Sequence, residues 1–184
     1  MYRAVKRASR ATVGRLSLAL ALTLGCGEEP QDQPNLDCEW TEPTKGSVTG
    51  ALEIGTGGPN DFQAYADGQT EQLVRGTQGG YMILPELRAD ASALATDGRC
   101  VRVVMNALIE PLAGETVGVS APTISLTLPP LARKGGAFYV DPIPLFLSLD
   151  VNSLVGRHTQ ISAEFMDAQH YATAEARVLL ASPP

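Results

Sequence analysis

The side chains best suited to metal chemistry are the two histidines, His158 and His170, which flank Met166 and Asp167. A blue-copper site needs two histidines, one cysteine and a weak methionine ligand in a tight arrangement. Cys100 lies 58 positions before His158, and a second cysteine competes for it. We therefore interpret both histidines as exposed turn residues and predict no bound metal and no cofactor.

Hydrolytic motifs are missing from the sequence. The phrases around Ser47 and Ser120 do not match the G-x-S-x-G nucleophile elbow, and no H-E-x-x-H, P-loop or G-x-G-x-x-G motif occurs. Asp61, Asp67 and Glu71 do not match a calcium-binding loop, so we interpret them as solvated carboxylates. We predict a protein without catalytic residues, with a small secreted hydrolase as the less favoured alternative.

The turn Gln78-Gly79-Gly80 could present backbone N–H groups and an amide to a ligand. Paired glycines equally serve a sharp turn or a bulge that enters a strand. The structural role is favoured. The alternative is an accessory module that binds a ligand through Gly76–Met82, or a metal through the histidines.

The first 25 residues have the organisation of a secretory signal peptide. Five basic residues and no acids precede the apolar run 16–24, and Gly25 follows it. This nine-residue run is about half of the ~20 residues that a membrane-spanning helix needs. We therefore predict that residues 1–25 are cleaved and take no part in the fold.

The phrase L-T-L-G-C at positions 22–26 resembles a bacterial lipobox, with Thr23 where leucine is usual. The resemblance implies that Cys26 becomes acylated and forms the new N-terminus. Residues 27–37 are polar, acidic and proline-bearing, which is typical of a flexible tether. We predict a lipid-anchored tether over 26–45, with the outer membrane favoured over the inner because Gly27 is not aspartate.

Charge excludes one class of partner. The chain has 14 basic and 20 acidic residues, and removing the five basic residues before Cys26 leaves a net charge of -11. A nucleic-acid-binding protein needs a basic footprint. The pair Arg133–Lys134 is too small to supply one, so we predict no nucleic-acid partner. The expected partners are the membrane, through the lipid, and another envelope protein or surface.

Acylation of Cys26 leaves Cys38 and Cys100 in an oxidising compartment, where an even pair usually forms a bridge. The loop closed spans 62 positions, for which chain entropy gives roughly 4 kcal/mol of stabilisation. We predict a Cys38–Cys100 disulfide. Two unpaired buried thiols are the alternative.

From about Ser47 onward, apolar side chains recur at every second position, as in strands with one buried face. The clearest runs are 101–109, 123–128, 143–149, 160–165 and 172–180, with shorter ones at 48–54, 62–66 and 81–87. Alanine in the last run favours a helix, but the polar alternation of Thr173, Glu175 and Arg177 favours a strand.

Turn residues separate these runs. Asp67-Gly68, between 62–66 and 70–74, is the strongest hairpin signal. The last two runs, joined at 167–170, resemble the closing hairpin of an immunoglobulin-like sandwich. We predict an all-β domain over 46–184, an antiparallel immunoglobulin-like β-sandwich of about seven to nine strands.

The stretch 55–82 resembles a group of uncharacterised bacterial envelope lipoproteins. The shared features are Gly55-Thr56-Gly57, an aromatic at Phe62, the turn Asp67-Gly68 and the G-x-Q-G-G motif at 76–80. Thr77 and Met82 stand where the group often has proline and histidine. The resemblance implies a non-catalytic, lipid-anchored envelope protein with a β-sandwich that binds or spaces other envelope components.

Overall fold

A computed structural model describes residues 50–90, 100–128, 131, 133–167 and 170–184. These residues are mostly β, with one short helix, α1 (Gly58–Asp61), and a 3-10 turn at Val151–Ser153. The fourteen strands within them are β1 (Leu52–Thr56), β2 (Gln63–Ala64), β3 (Gln69–Gln72), β4 (Val74–Arg75), β5 (Tyr81–Ile83), β6 (Glu86–Asp90), β7 (Val101–Ile109), β8 (Val119–Ser120), β9 (Ile124–Leu128), β10 (Arg133–Lys134), β11 (Ala137–Val140), β12 (Leu145–Ser148), β13 (His158–Met166) and β14 (Tyr171–Ala181).

The strands form three sheets. A five-stranded antiparallel sheet has the order β10-β11-β6-β1-β2, and a three-stranded antiparallel sheet has the order β12-β5-β4. The largest sheet has six strands in the order β3-β14-β13-β7-β8, with β9 also paired to β7. All its pairings are antiparallel except β3 with β14, which run parallel.

One core joins the three sheets. Alternate residues of β7, from Val101 to Ile109, are at most 3% exposed, as the period of two predicts. They belong to the same buried cluster as Leu87 of the five-stranded sheet and Ile83 of the three-stranded sheet. Burying each such side chain contributes roughly 1.5–3 kcal/mol. The described residues therefore form a β-rich, sandwich-like fold.

The long strands confirm the sequence pattern. β7 and β13 pair through eight residue pairs and β13 and β14 through nine, so the run 172–180 is a strand and its turn closes a hairpin. The predicted number of about seven to nine strands is too low, because the structure divides several of the alternating apolar runs into two strands. The run 81–87 becomes β5 and β6, separated at Leu84-Pro85, where proline lacks the N–H that a continuous ladder needs.

The hairpin predicted at Asp67-Gly68 is wrong. β2 pairs with β1 in the five-stranded sheet, whereas β3 pairs with β14 in the six-stranded sheet. Gly68 has a φ of 69°, as a tight turn requires. Its N–H donates to the carbonyl of Arg177 at 2.8 Å. The turn therefore carries the chain from one sheet to another.

Several predictions concern residues outside the described ranges. The signal peptide over 1–25, Cys26, the tether over 26–45 and Cys38 lie there. Cys100 is described and directly precedes β7. Its bridge to Cys38 stays a prediction.

Candidate binding site

The G-x-Q-G-G motif forms the loop of a hairpin between β4 and β5. Val74 pairs with Met82, and Arg75 pairs with Tyr81. The Gly76 N–H donates to the Gly80 carbonyl at 2.8 Å, and the Gly79 N–H donates to the Gly76 carbonyl at 3.0 Å. Two backbone hydrogen bonds therefore fix the loop without help from side chains.

The three glycines of this loop are required for different structural reasons. Gly79 has a φ of 87°, in the left-handed region that side chains disfavour. A Cβ on Gly80 would lie 1.9 Å from Cε2 of Phe146, and one on Gly76 would lie 2.5 Å from Cε of Met82. The phenyl ring of Phe146 thus lies directly against the Gly80 backbone.

An apolar row crosses the outer face of the three-stranded sheet beside this loop. It consists of Val74, Met82 and Phe146, which are cross-strand partners on β4, β5 and β12. Val74 is 38% exposed and Phe146 is 39% exposed. Such a row is unusual on a solvent-facing sheet surface, where polar residues normally alternate with buried ones.

A cleft of about 240 Å³ lies between the loop and the end of β12. Its apolar wall is Met82, Phe146 and Leu149, and its polar rim is Thr77 and Gln78. Clefts that bury whole small molecules usually measure about 300–1,000 Å³. This cleft fits one apolar group, and the Thr77 hydroxyl and Gln78 amide at its edge are available to polar atoms attached to that group.

Of the predicted ligand-binding residues, Gln78 and Gly80 line the cleft, whereas Gly79 shapes the loop without lining it. Phe146 and Leu149 were missed. The alternation over 143–149 predicts a buried Leu149, yet that side chain is 73% exposed. The reason is that β12 ends at Ser148 and Asp150 caps the following 3-10 turn, accepting a hydrogen bond from the Asn152 N–H at 2.9 Å.

The two histidines lie at opposite ends of the β13–β14 hairpin. His158 is the first residue of β13, while His170 precedes β14. Eight steps along β13 at ~3.3 Å each separate the two ends by about 26 Å. Because metal–nitrogen bonds are about 2 Å long, the pair cannot bind one ion together. Within the described ranges no group of three or more potential ligand side chains is placed to hold a metal.

The prediction that both histidines are exposed turn residues is wrong: His170 lies in the turn before β14 but its side chain is only 22% exposed, and His158 is partly buried at the start of β13. The His170 N–H donates to Oδ1 of Asp167 at 2.7 Å, and its Nδ1 lies 3.0 Å from both carboxylate oxygens. Asp167 is only 1% exposed, so this pairing satisfies a buried carboxylate. His158 lies in a strand, and its Nδ1 is buried without a hydrogen-bond partner among the described residues.

The three loop carboxylates have separate environments. Asp61 ends α1, and Oδ1 of Asp67 lies 3.9 Å from a guanidinium nitrogen of Arg177. Burial raises the pKa of the Glu71 carboxyl above its ordinary value. Burial and the Glu71 carboxylate in turn raise the pKa of the Tyr65 hydroxyl. Asp61, Asp67 and Glu71 therefore do not form a shared ligand set for calcium within the part of the chain that the structure describes.

Two bidentate ion pairs hold the β7–β8 connection against the β13–β14 hairpin. Arg177 donates to both carboxylate oxygens of Glu110 at 2.5 and 2.9 Å, and Arg157 donates to both of Glu115 at 2.7 and 2.8 Å. Hydrogen bonding from each arginine lowers the pKa of its carboxylate partner. No local sequence pattern predicts these ion pairs, because their members are 67 and 42 positions apart.

Comparisons with known proteins assign no family: no protein-family model matches the chain, and no curated protein matches it. No helix in the described part of the chain has the length and apolar character to cross a membrane. Function is therefore inferred from the chain's own residues.

Proposed function

We propose that this chain is a lipid-anchored protein of the bacterial cell envelope. The observation that carries the proposal is the order of segments before residue 46. A basic stretch is followed by a leucine-rich run of nine residues, then by Gly25-Cys26, and then by an acidic, proline-bearing segment. Each buried CH₂ of an acyl chain contributes about 0.8 kcal/mol, so the two or more chains of a mature lipoprotein anchor it stably.

The folded part is proposed to be a non-catalytic, immunoglobulin-like sandwich that binds or spaces other envelope components. Two observations support this. The last two strands, β13 and β14, form a closing hairpin within the largest sheet, and residues of all three sheets share one core. The outer membrane is the favoured location.

Metabolic labelling with palmitate tests the anchor. Cells expressing the unaltered chain should incorporate label into it, and Cys26→Ser should abolish incorporation. Cys38→Ser is the matched control, because it removes a cysteine of the same region and should keep the label. Equal labelling of the unaltered chain and Cys26→Ser refutes the proposal.

A second candidate function is an accessory module that binds an apolar group of a partner at the Gly76–Met82 loop. The exposed Phe146 and Leu149 side chains favour it. The dye 1-anilinonaphthalene-8-sulfonate should fluoresce with the unaltered mature chain and lose most of that signal in Phe146→Ser. Val117→Ser removes a 75% exposed apolar side chain elsewhere and should keep the signal. Equal fluorescence in all three chains would exclude the cleft as the apolar site.

A further inference from the structure

A second, polar cleft of about 340 Å³ lies on the outer face of the five-stranded sheet. Its charged lining residues are Glu53, Arg88 and Asp90, and Tyr139 adds an aromatic ring. The volume falls within the ~300–1,000 Å³ of sites that hold small molecules. The feature does not involve the Gly76–Met82 loop, and it is independent of the lipid anchor.

The hollow follows from the register of the strands. Asp90 pairs with Ala137 on one side, and its N–H donates to the Ala51 carbonyl at 2.9 Å on the other. Two alanines beside an aspartate leave a depression across the sheet. The β10–β11 turn, Gly135-Gly136, closes one end with bare backbone, and a Cβ on either glycine would meet nothing within 4 Å.

The next row across the sheet is a line of polar and aromatic groups. Arg88 pairs with Glu53 on one neighbouring strand and with Tyr139 on the other. The Arg88 guanidinium forms an ion pair with Oε2 of Glu53, using Nε and one terminal nitrogen. A guanidinium has five N–H donors, so donors remain for a ligand beside the second carboxylate oxygen.

The Arg88 side chain is held from two directions. The guanidinium carbon lies 4.8 Å from the ring centroid of Phe62, within the distance of a cation–π contact. The Phe62 ring meets that of Tyr139 edge to face, with centroids 6.0 Å apart. A side chain that is already fixed loses little conformational entropy when a ligand binds.

The chemistry of this lining selects a neutral polyhydroxyl ligand. The Glu53 carboxylate already neutralises the Arg88 guanidinium, so the row has no net positive charge to attract phosphate or other anions. Adjacent donors and acceptors match sugar hydroxyls, each of which both donates and accepts. We propose that the row of Glu53, Arg88 and Tyr139 is a saccharide-binding site for an extended chain of pyranose units.

Isothermal titration of the full mature chain with cellotetraose and with chitotetraose tests the proposal. The protein is held in a detergent without a sugar headgroup. Binding of at least one oligosaccharide is expected with a dissociation constant on the order of 1 mM or tighter. The two probes share the pyranose chain, and a preference for chitotetraose would assign the ligand to N-acetylated amino-sugar polymers.

Arg88→Met and Glu53→Gln should each weaken binding at least about tenfold. Glu53→Gln is nearly isosteric, so it keeps the test decisive if Arg88→Met folds poorly. Arg102→Ala, which alters an arginine bonded to Ser125 on the six-stranded sheet, is the matched control and should bind normally. No heat with either probe at about 10 mM, or unchanged binding in both variants, would overturn the proposal whatever the palmitate result.

Discussion

Replacing Gly80 by alanine should destabilise the domain through a single steric contact. The added Cβ would lie 1.9 Å from Cε2, 2.8 Å from Cδ2 and 3.0 Å from Cζ of Phe146, so the whole ring has to move. Gly80 is not among the glycines with positive φ, so the backbone itself accepts alanine. Overpacking of this kind typically costs about 1–3 kcal/mol.

A double-mutant cycle isolates that contact. Phe146→Ala alone should cost roughly 2 kcal/mol, below the ~3–5 kcal/mol of a fully buried phenylalanine, because the ring is already 39% exposed. In that background Gly80→Ala should be neutral or slightly stabilising, since alanine restricts the unfolded chain. The interaction energy between the two sites should therefore reach about 1–3 kcal/mol.

Urea unfolding followed by far-UV circular dichroism measures these differences. A loss of 2 kcal/mol should lower the midpoint by about 1 M for a slope of ~2 kcal/mol/M. Gly79→Ala is the matched control, because its Cβ meets nothing within 4 Å but its φ is 87°. It should cost about 1–2 kcal/mol in both backgrounds. Strict additivity of Gly80→Ala and Phe146→Ala would refute the contact.

Three further predictions concern charge, a buried hydroxyl and the cysteines. Arg177 lowers the pKa of Glu110 from 4.5, so the stability from this pair is present above pH 4.5 and lost as the pH falls through the folded-state pKa. The melting temperature of Glu110→Gln should therefore fall less than that of the unaltered chain when the pH is lowered from about 6 to about 3, a range that brackets the ordinary glutamate pKa. Equal falls in melting temperature would contradict the assignment. Thr159→Val should raise the free energy of unfolding by about 1 kcal/mol, because the Thr159 hydroxyl is buried without a partner among the described residues. Thermal denaturation would detect this, and a lower melting temperature would contradict it. Denatured, unreduced mature protein should show no reactive thiol if Cys38 and Cys100 are bridged, whereas two per chain would exclude the bridge.

The sequence predicted the long strands well because their burial pattern is local. Every second residue of β7 is apolar, as are Ile161, Ala163 and Phe165 on the buried face of β13, and no competing helical period occurs in either strand. The same reasoning identified β14 despite its alanines, since its polar residues alternate too. A two-residue period is sufficient wherever one face of a long strand is buried.

The two-residue period does not predict which strands pair with one another. Asp67-Gly68 was recognised as a turn, yet the sheet that receives each flanking segment depends on β1 and β14, which are distant in sequence. The candidate site shows the same limit. The glycine loop at 76–80 was identified, but Phe146 reaches it only because β12 pairs with β5. Short-range patterns do not encode such contacts.

The polar cleft on the five-stranded sheet also depends on the pairing register of its strands. No single one of its residues indicates a binding site in the sequence. The row of Glu53, Arg88 and Tyr139 forms only because β1, β6 and β11 pair in the observed register. A register shift of one residue in any of these strands would turn that strand's member of the row toward the core. Sequence-based reasoning therefore predicts the fold class better than it predicts binding surfaces.

The position of β14 also constrains when this domain can fold. It lies between the edge strand β3 and β13, so β3 has no partner in the six-stranded sheet until β14 is available. Contacts between segments as distant as 69–72 and 178–181 form slowly, because loop closure precedes the gain from pairing. For a chain that we propose to be exported, this delay is useful. Until β14 has followed the rest of the chain across the membrane, β3 and one edge of β13 would lack their partner, so the six-stranded sheet would be completed only after export.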